Sequence, residues 1–378
     1  MKVQSTRGRH RIRFAALALC TLALALAACG SDDEPEAPAS GDSGNAATDT
    51  SGAAAELVAE HTADQTEWRG PTEAPAPVSG KTIGIVPCGM AIEGCARQAR
   101  GGEAAAKALG WKAIMTDGQG DGAKLGEAIT SLINRKVDAI YLASVNAEGF
   151  GEQLGEAEKQ GIPVIASFAS DPTPLGGLGE VGIDYKEAGR TVAAFMVTNG
   201  GGDVVVFNQN ESPAVAARAE GLKEGLEEFG GGEVAEEQSI PNTQLGQPTA
   251  DLMASILQRN PEGDLKWMFA GFDFMLTSMM QAAEQQGRME LKGVSFDGNK
   301  ENLAAIAEGR IQAADVGYPL EWAGWAVMDE LNRHFNEEPW VEAGIDYKLL
   351  TKDNLPPNGA AYTGDLDYEA KYRELWGL

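Results

Sequence analysis

Basic residues are scarce in this chain of 378 residues, in which 30 Lys and Arg stand against 56 Asp and Glu and the formal net charge is -26. A nucleic-acid-binding protein needs a basic surface to neutralise phosphates, and loose adhesion to anionic lipid needs one as well. The deficit therefore argues against both as the main task. Two interpretations remain open: a protein of an exposed compartment whose ligand is not a polyanion, or acidity that only maintains solubility.

Histidine and the common catalytic motifs are also scarce. The histidines at 10, 61 and 334 are scattered, so a Cys/His zinc site has little support and no metal is predicted. No Walker A loop, G-x-S-x-G elbow or H-E-x-x-H segment occurs. The turn TDGQGDGA has Ala123 where a dinucleotide-binding loop has its third Gly, and a flexible strand-to-helix loop is the alternative. The sequence therefore predicts neither an enzyme nor a bound cofactor.

The N-terminus combines a basic segment with a short apolar run. Five basic residues precede Phe14, and the run from Phe14 to Ala28 is too short for a comfortable transmembrane helix. This combination is the signature of a secretory signal. The junction LAAC, ending at Cys29, resembles the lipobox of bacterial lipoproteins, which implies a signal peptide over residues 1–28 and a lipid on Cys29. An ordinary signal peptide with a chance cysteine is the alternative.

Residues 29–80 are predicted to form a flexible tether between the lipid and the folded protein. The stretch SDDEPEAPASGDSGNAATDTSG is rich in Ser, Gly, Pro, Ala and Asp and offers almost nothing to bury. A short helix is expected only from Ala53 to Trp68.

Two cysteines, Cys88 and Cys95, remain beyond the signal and the lipidation site. Disulfides persist in an extracytoplasmic compartment, so a Cys88–Cys95 bridge is favoured. Two free thiols or two metal ligands are the alternatives.

From Lys81 onward, short apolar strands alternate with amphipathic helices. The strand KTIGIVP is followed by a helix from Ala96 to Leu109, and the strand VDAIYLAS by a helix from Glu148 to Gln160. The alternation continues to IQAADVG, with helices over 185–198 and 213–229. It predicts an α/β fold of parallel sheets covered on both faces, with ligand at the carboxyl ends of the strands.

Five segments of this region occur in a specific order: KVDAIYLASVNAEG, GIPVIASFAS, AVAARAEGLKEGLEEFG, KWMFAGFDFMLTSMMQAAEQQG and KGVSFDGNKENLAAIAEGRIQAADVGYP. In this order they resemble the type I periplasmic binding proteins, in particular the ribose- and galactose-type sugar-binding proteins of ABC transporters. The resemblance implies two doubly wound parallel-sheet lobes joined by three crossovers. It assigns residues 81–183 with 317–343 to an N-terminal lobe, and residues 184–316 with 344–378 to a C-terminal lobe.

The resemblance also implies two polar ligand contacts. Asp297, in SFDG, matches a carboxylate that accepts hydrogen bonds from sugar hydroxyls, with capping of the helix at Asn299 as the alternative. Arg218, in AVAARAEG, matches an arginine that donates to sugar oxygens. Its alternative is a surface pairing with Glu220 or Glu224.

Other candidate contacts depart from the pentose-binding pattern. Phe272 and Asp273 stand where relatives carry Asn-Asp. At Phe272 an aromatic ring therefore replaces a hydrogen-bonding amide. Asp273 is expected either to support the site from behind or to cap a helix. The remaining candidates are Met90, Ser144, Ser167, Phe168 and Tyr318. Together these positions lose polar contacts and gain apolar ones, so a free pentose is less favoured than another sugar, a related compound or an aromatic solute.

The resemblance implies a function as well as a fold. It predicts a monomeric, lipid-anchored solute-binding protein on the extracytoplasmic face of the cell membrane that delivers a small molecule to an ABC permease and its ATPase. It implies no bond chemistry, no cofactor and no nucleic-acid partner. The alternative is a sensor that signals to a membrane receptor when its ligand binds.

Overall fold

A computed structural model describes residues 50–378. The predicted signal peptide, Cys29 and the first part of the predicted tether lie outside the described residues. The strands β1 to β11 span Thr82–Pro87, Lys112–Met115, Ala139–Ala143, Val164–Ser167, Gly179–Val181, Val204–Asn208, Val234–Ser239, Trp267–Ala270, Lys292–Phe296, Gln312–Gly317 and Lys348–Leu350. The α-helices α1 to α11 span Thr50–Thr62, Glu93–Ala108, Gly122–Asn134, Gly151–Lys159, Tyr185–Thr198, Pro213–Phe229, Gln247–Arg259, Asp273–Gln285, Lys300–Glu308, Leu320–Phe335 and Tyr368–Leu375.

The strands form two sheets, one in each lobe. The first has the order β2-β1-β3-β4-β5, and all its pairings are parallel. The second has the order β11-β10-β9-β8-β6-β7, in which only the pairing of β11 with β10 is antiparallel. Strand order reverses direction within each sheet, which places a crevice at the carboxyl ends of the central strands. The predicted α/β fold of two doubly wound lobes is confirmed.

Local sequence explains why these elements form. Every residue of β3 is buried, as expected for a parallel strand covered on both faces. Helix α3 begins after Asp121, whose carboxylate accepts from the Lys124 backbone N–H at 3.0 Å. The same helix buries Ile129 and Leu132 against the sheet.

The helices cover each sheet on both faces. In the first lobe, α3 and α4 pack on one face, and α2 with α10 pack on the other. In the second lobe, α7 and α8 pack on one face, and α5 with α6 pack on the other. The chain passes from the first sheet to the second before α5, returns to the first lobe with α10, and enters the second sheet again at β11.

Residues 50–80 belong to the folded body, which corrects the predicted tether. Helix α1 packs against α5 and β11 and fully buries Ala54. It ends at Thr62, short of the predicted Trp68. The tether was predicted from low apolar content, but a few apolar side chains at suitable positions are enough to fix a segment on an existing surface.

Residues 63–80, called here the hinge strap, continue from α1 across both lobes. The Trp68 ring stacks on Trp322 of α10 with centroids 5.1 Å apart. The Gln65 side chain donates to the Tyr347 carbonyl, at the crossing into β11, at 2.8 Å. Further along, the Trp111 indole of the first lobe donates to the Val78 carbonyl at 2.6 Å. The strap is therefore a fourth connection between the lobes.

The C-terminal helix also lies elsewhere than predicted. Helix α11 and the residue after it pack on α10, which belongs to the first lobe. The Trp376 indole donates to the Asp329 carboxylate at 2.7 Å and stacks on Trp325 with centroids 5.5 Å apart. The assignment of residues 344–378 to the second lobe thus holds for β11 and not for α11. The reason is that Trp325 and its neighbours in α10 offer an aromatic surface on which Trp376 packs.

Among the described helices, none has the length and apolar character needed to cross a membrane.

Candidate ligand-binding site

A cavity lies between the lobes at the carboxyl ends of both sheets. Its first-lobe wall is formed by Cys88, Ile92, Gly94, Cys95, Gln98, Ser144 and Phe168. Its second-lobe wall is formed by Gln209, Ser212, Val215, Arg218, Asn242, Phe272 and Asp297, and Tyr318 joins them from the crossing before α10. The space open to the centre of a water-sized sphere is ≈ 70 Å³, and all empty space, with the open mouth included, is ≈ 530 Å³. An interlobe cavity lined by apolar side chains and a few convergent polar groups is typical of a small-molecule site.

Strained backbone positions mark the strand ends at this cavity. Ser144 follows β3, Phe168 follows β4 and Asp297 follows β9, with φ values of 55°, 49° and 116°. Residues with a side chain rarely adopt such angles, and the cost is of order 1–3 kcal/mol for each. All three strained residues lie at one cavity, and such clustering of backbone strain is typical of a binding site.

Arg218 is the central polar group of the second-lobe wall. It is only 2% exposed, and its two terminal nitrogens donate to the Gly271 carbonyl at 2.7 Å and to the Tyr318 hydroxyl at 2.6 Å. Its Nε has no partner in the described part of the chain. A buried donor without an acceptor is costly, so a ligand oxygen is the expected partner.

The alternative surface pairing of Arg218 is wrong. Glu220 and Glu224 instead contact Lys186, at 3.3 and 2.7 Å. No carboxylate forms an ion pair with Arg218 within residues 50–378, although its guanidinium lies over the rings of Tyr318 and Phe296.

Asp297 is joined to Arg218 through a tyrosine. The Tyr318 hydroxyl accepts from Arg218 and donates to Asp297 Oδ1 at 2.6 Å. Burial raises the pKa of the Asp297 carboxyl to about 6, although the Arg218 guanidinium and the Tyr318 hydroxyl act in the opposite direction. Asp297 does not cap α9, because the Asn299 backbone N–H donates to Asp273 Oδ2 at 2.8 Å.

The first-lobe wall is built on a disulfide. Cys88 and Cys95 are bonded, with Cα atoms 5.8 Å apart, as the sequence predicts. Both cysteines and Ile92 line the cavity, and the Phe168 ring tilts against Tyr318 with centroids 4.7 Å apart. This wall is therefore largely apolar.

Two polar side chains in the first-lobe wall bind each other. Gln98 Nε2 donates to Ser144 Oγ at 2.6 Å, and Gln98 Oε1 accepts from Ser167 Oγ at 2.7 Å. Ser167 also contacts the Tyr141 hydroxyl at 2.7 Å. The network holds Gln98 in one orientation and leaves the Ser144 proton available to a ligand oxygen.

Six of the nine predicted contacts line the cavity: Ser144, Phe168, Arg218, Phe272, Asp297 and Tyr318. Met90, Ser167 and Asp273 do not. Met90 packs against the core, and Asp117 accepts from its backbone N–H at 3.0 Å. Ser167 lies one layer behind Gln98, and Asp273 lies beneath Asp297, where Ser295 donates to it at 2.5 Å.

Several lining residues are absent from the sequence prediction. Gln209 and Asn242 follow β6 and β7, so the rule that ligands meet the carboxyl ends of strands could have found them. Gln98 and Gly94 lie in α2, where nothing in the sequence marks them. A side chain at Gly94 would place its Cβ 2.9 Å from Asp297 Oδ2, so glycine allows the lobes to meet there.

The lobes contact each other directly across the cleft. Arg97 of α2 is buried and donates to the Asp297 carbonyl at 3.1 Å and to the Tyr362 carbonyl at 2.5 Å. Glu321 holds the same guanidinium through two hydrogen bonds of 2.7 and 2.9 Å. Arg97, in the first lobe, therefore holds the second-lobe loop that contains Asp297 against the first lobe.

Known proteins share this architecture. The family model for the periplasmic binding protein domain matches residues 83–335. The ribose import binding protein of Bacillus subtilis is 28% identical over 224 residues, which are 58% of this chain and 70% of that protein. A xylitol-binding protein of Mycolicibacterium smegmatis is 26% identical over 255 residues, 66% of this chain and 71% of that protein.

Solved structures show the same fold. An ABC transporter solute binding protein from Mycobacterium smegmatis with bound glycerol has a TM-score of 0.67 at 22% identity and covers 75% of this chain and 100% of its own. One from Agrobacterium vitis with bound allitol has a TM-score of 0.65 at 24% identity, with 73% and 97% covered. The family match extends through both lobes and ends with α10. The chain therefore belongs to the periplasmic binding protein family, whose members bind solutes for transport and are not enzymes.

Proposed function

We propose that this protein captures a sugar, a polyol or a related small molecule between its lobes and delivers it to the permease and ATPase of an ABC importer. The observation that carries the proposal is the buried Arg218, which lines the cavity and whose Nε–H has no partner among residues 50–378. The relatives named for ribose and xylitol support a polyhydroxylated ligand.

The residues already in place define how capture would work. Arg218, Tyr318 and Asp297 form one hydrogen-bonded chain before any ligand enters, so little side-chain ordering is needed on binding. A ligand oxygen would then accept a hydrogen bond from Arg218 Nε–H, and a ligand hydroxyl would donate to the Asp297 carboxylate. The ligand favours the closed state only to the extent that both walls contact it at once.

The test is a titration of protein freed of co-purified ligand by unfolding and refolding. Ribose, xylitol, allitol and myo-inositol are added separately, and heat and melting temperature are recorded. We expect saturable binding of at least one compound, with a melting temperature that rises with concentration. Absence of binding by all four at millimolar concentration contradicts a fully hydroxylated sugar or polyol as the ligand.

We also propose that the protein is monomeric and held at the extracytoplasmic face of the cell membrane by lipid on Cys29. The LAAC junction after a basic and apolar start supports this anchor. The wild type should sediment with membranes and incorporate labelled palmitate, whereas Cys29→Ser should do neither. Equal labelling of both proteins contradicts the anchor.

A further inference from the structure

The two walls of the cavity offer a ligand unequal hydrogen-bonding capacity. On the second-lobe wall, Arg218 Nε, Ser212 Oγ and Asn242 Nδ2 have no partner among the described residues. The Asn242 Oδ1 atom accepts from Gln209 Nε2 at 2.9 Å, which fixes the orientation of that amide. This wall therefore presents several positioned donors together with the Asp297 carboxylate.

The first-lobe wall presents mostly carbon and sulfur. The Cys88–Cys95 disulfide has no O–H or N–H group, and Ile92 and Phe168 add hydrocarbon surface. The Gln98 amide is already engaged at both ends by its neighbours, and Ser144, whose hydroxyl accepts from Gln98, keeps one proton for a ligand oxygen. The face formed by the disulfide and Ile92 remains apolar.

This asymmetry excludes two kinds of ligand as good fits. A purely apolar or aromatic molecule would leave the Arg218 donor and the Asp297 carboxylate without partners in a buried site. A molecule hydroxylated all round would press at least one hydroxyl against the disulfide and Ile92. That hydroxyl would give up its hydrogen bonds to water without replacement, a loss of about tenfold or more in affinity.

We propose that the ligand is a sugar or polyol with one edge lacking hydroxyls, such as a deoxy or methyl edge, which lies against the Cys88–Cys95 disulfide and Ile92. Its hydroxyls face Arg218, Ser212 and Asn242. The inference rests on the proposed function and names the ligand class for the same cavity.

The test compares matched pairs of sugars that differ by a single hydroxyl. L-Fucose is titrated against L-galactose, and L-rhamnose against L-mannose, using the full chain purified in detergent. We expect the deoxy member of at least one pair to bind about tenfold or more tightly than its parent. If in every pair that binds the parent binds equally well or better, the inference is wrong while the proposed function stands. If no sugar of the panel and none of the four compounds above binds, both are wrong.

A variant links the preference to this wall. Ile92→Gln places an amide beside the disulfide and should reduce the deoxy preference to about threefold or less. Ile92→Val and the distant, exposed Met289→Gln should retain it. An unchanged preference in a folded Ile92→Gln variant would falsify the assignment of the deoxy edge to the first-lobe wall.

Discussion

The second-lobe wall of the cavity carries most of the polar side chains and is incompletely paired, whereas the first-lobe wall is largely apolar and cross-linked. Arg218 and Asp297 are held in place on the second lobe and still have capacity for a ligand. The first lobe brings a disulfide and Ile92 instead. Under the proposed function the two lobes have different tasks: the second would provide most of the hydrogen bonds to the ligand, and the first would cover the ligand with carbon and sulfur.

The largest expected effect is on the second-lobe wall. Arg218→Met removes a buried donor and leaves the Tyr318 hydroxyl and the Gly271 carbonyl without their partner. We expect affinity for the bound sugar to fall by about 100-fold or more, close to 3 kcal/mol. Calorimetric titration measures the change, and circular dichroism verifies folding. Arg259→Met, at an exposed arginine of the same lobe, is the control and should bind normally. Wild-type affinity in a folded Arg218→Met protein contradicts the central role of this donor.

The next largest effect is expected at the hinge strap, which contacts both lobes. Trp68→Ala removes the stacking on Trp322 and the edge contact with Tyr372. We expect the free energy of unfolding to fall by about 2–3 kcal/mol. Urea denaturation measures it, with Glu67→Ala, at an exposed neighbouring position, as the control. If the free energy of unfolding changes by less than about 0.5 kcal/mol in both variants, the strap contributes nothing to stability and the predicted flexible tether is the better description.

The pH dependence of binding is expected to come from the second lobe. Burial raises the pKa of Asp297 to about 6, so the carboxylate that we propose as the acceptor of ligand hydroxyls is lost as pH falls below that value. Affinity should therefore fall about tenfold between pH 7 and pH 5. Asp297→Asn should bind more weakly at pH 7 and lose this dependence. Calorimetric titrations at pH 7 and pH 5 measure the change. A wild-type affinity that is constant over this range contradicts the role proposed for Asp297.

The pH dependence of stability is expected to include a first-lobe group. Burial raises the pKa of Glu330 to about 8 from 4.5, so the native state retains a proton that the unfolded state has released. The contribution of Glu330 to stability is thus present below about pH 4.5 and is lost as pH rises to about 8. Glu330→Gln should stabilise the protein by about 1–2 kcal/mol at pH 8 and have little effect at pH 4.5. Urea denaturation at both pH values tests this, and exposed Glu338→Gln should be neutral at either.

Elements with strong periodicity could be predicted from the sequence, and short or surface-dependent ones could not. Helix α5 spans Tyr185–Thr198, as predicted, because its apolar residues repeat at helical spacing. Strands β5 and β11 have three residues each, too few to show a pattern. The hinge strap has no periodicity at all, since it is fixed by a few long-range contacts such as Trp68 on Trp322.

The site could be predicted where it follows strand ends. Ser144, Phe168 and Asp297 come directly after strands and line the cavity. Ser167 and Asp273 are next to correct positions, but their side chains turn into the protein, because neighbouring residues of a strand or a helix start point in different directions. Gln98 contributes from a helix face that no sequence pattern distinguishes.

The most direct test of unequal walls is a crystal structure with a sugar selected from the matched pairs. We expect a ligand oxygen about 3 Å from Arg218 Nε and only ligand carbon in contact with the Cys88–Cys95 disulfide and Ile92. A ligand that places a hydroxyl against the disulfide, or leaves Arg218 Nε without an acceptor, contradicts the division of tasks between the two lobes.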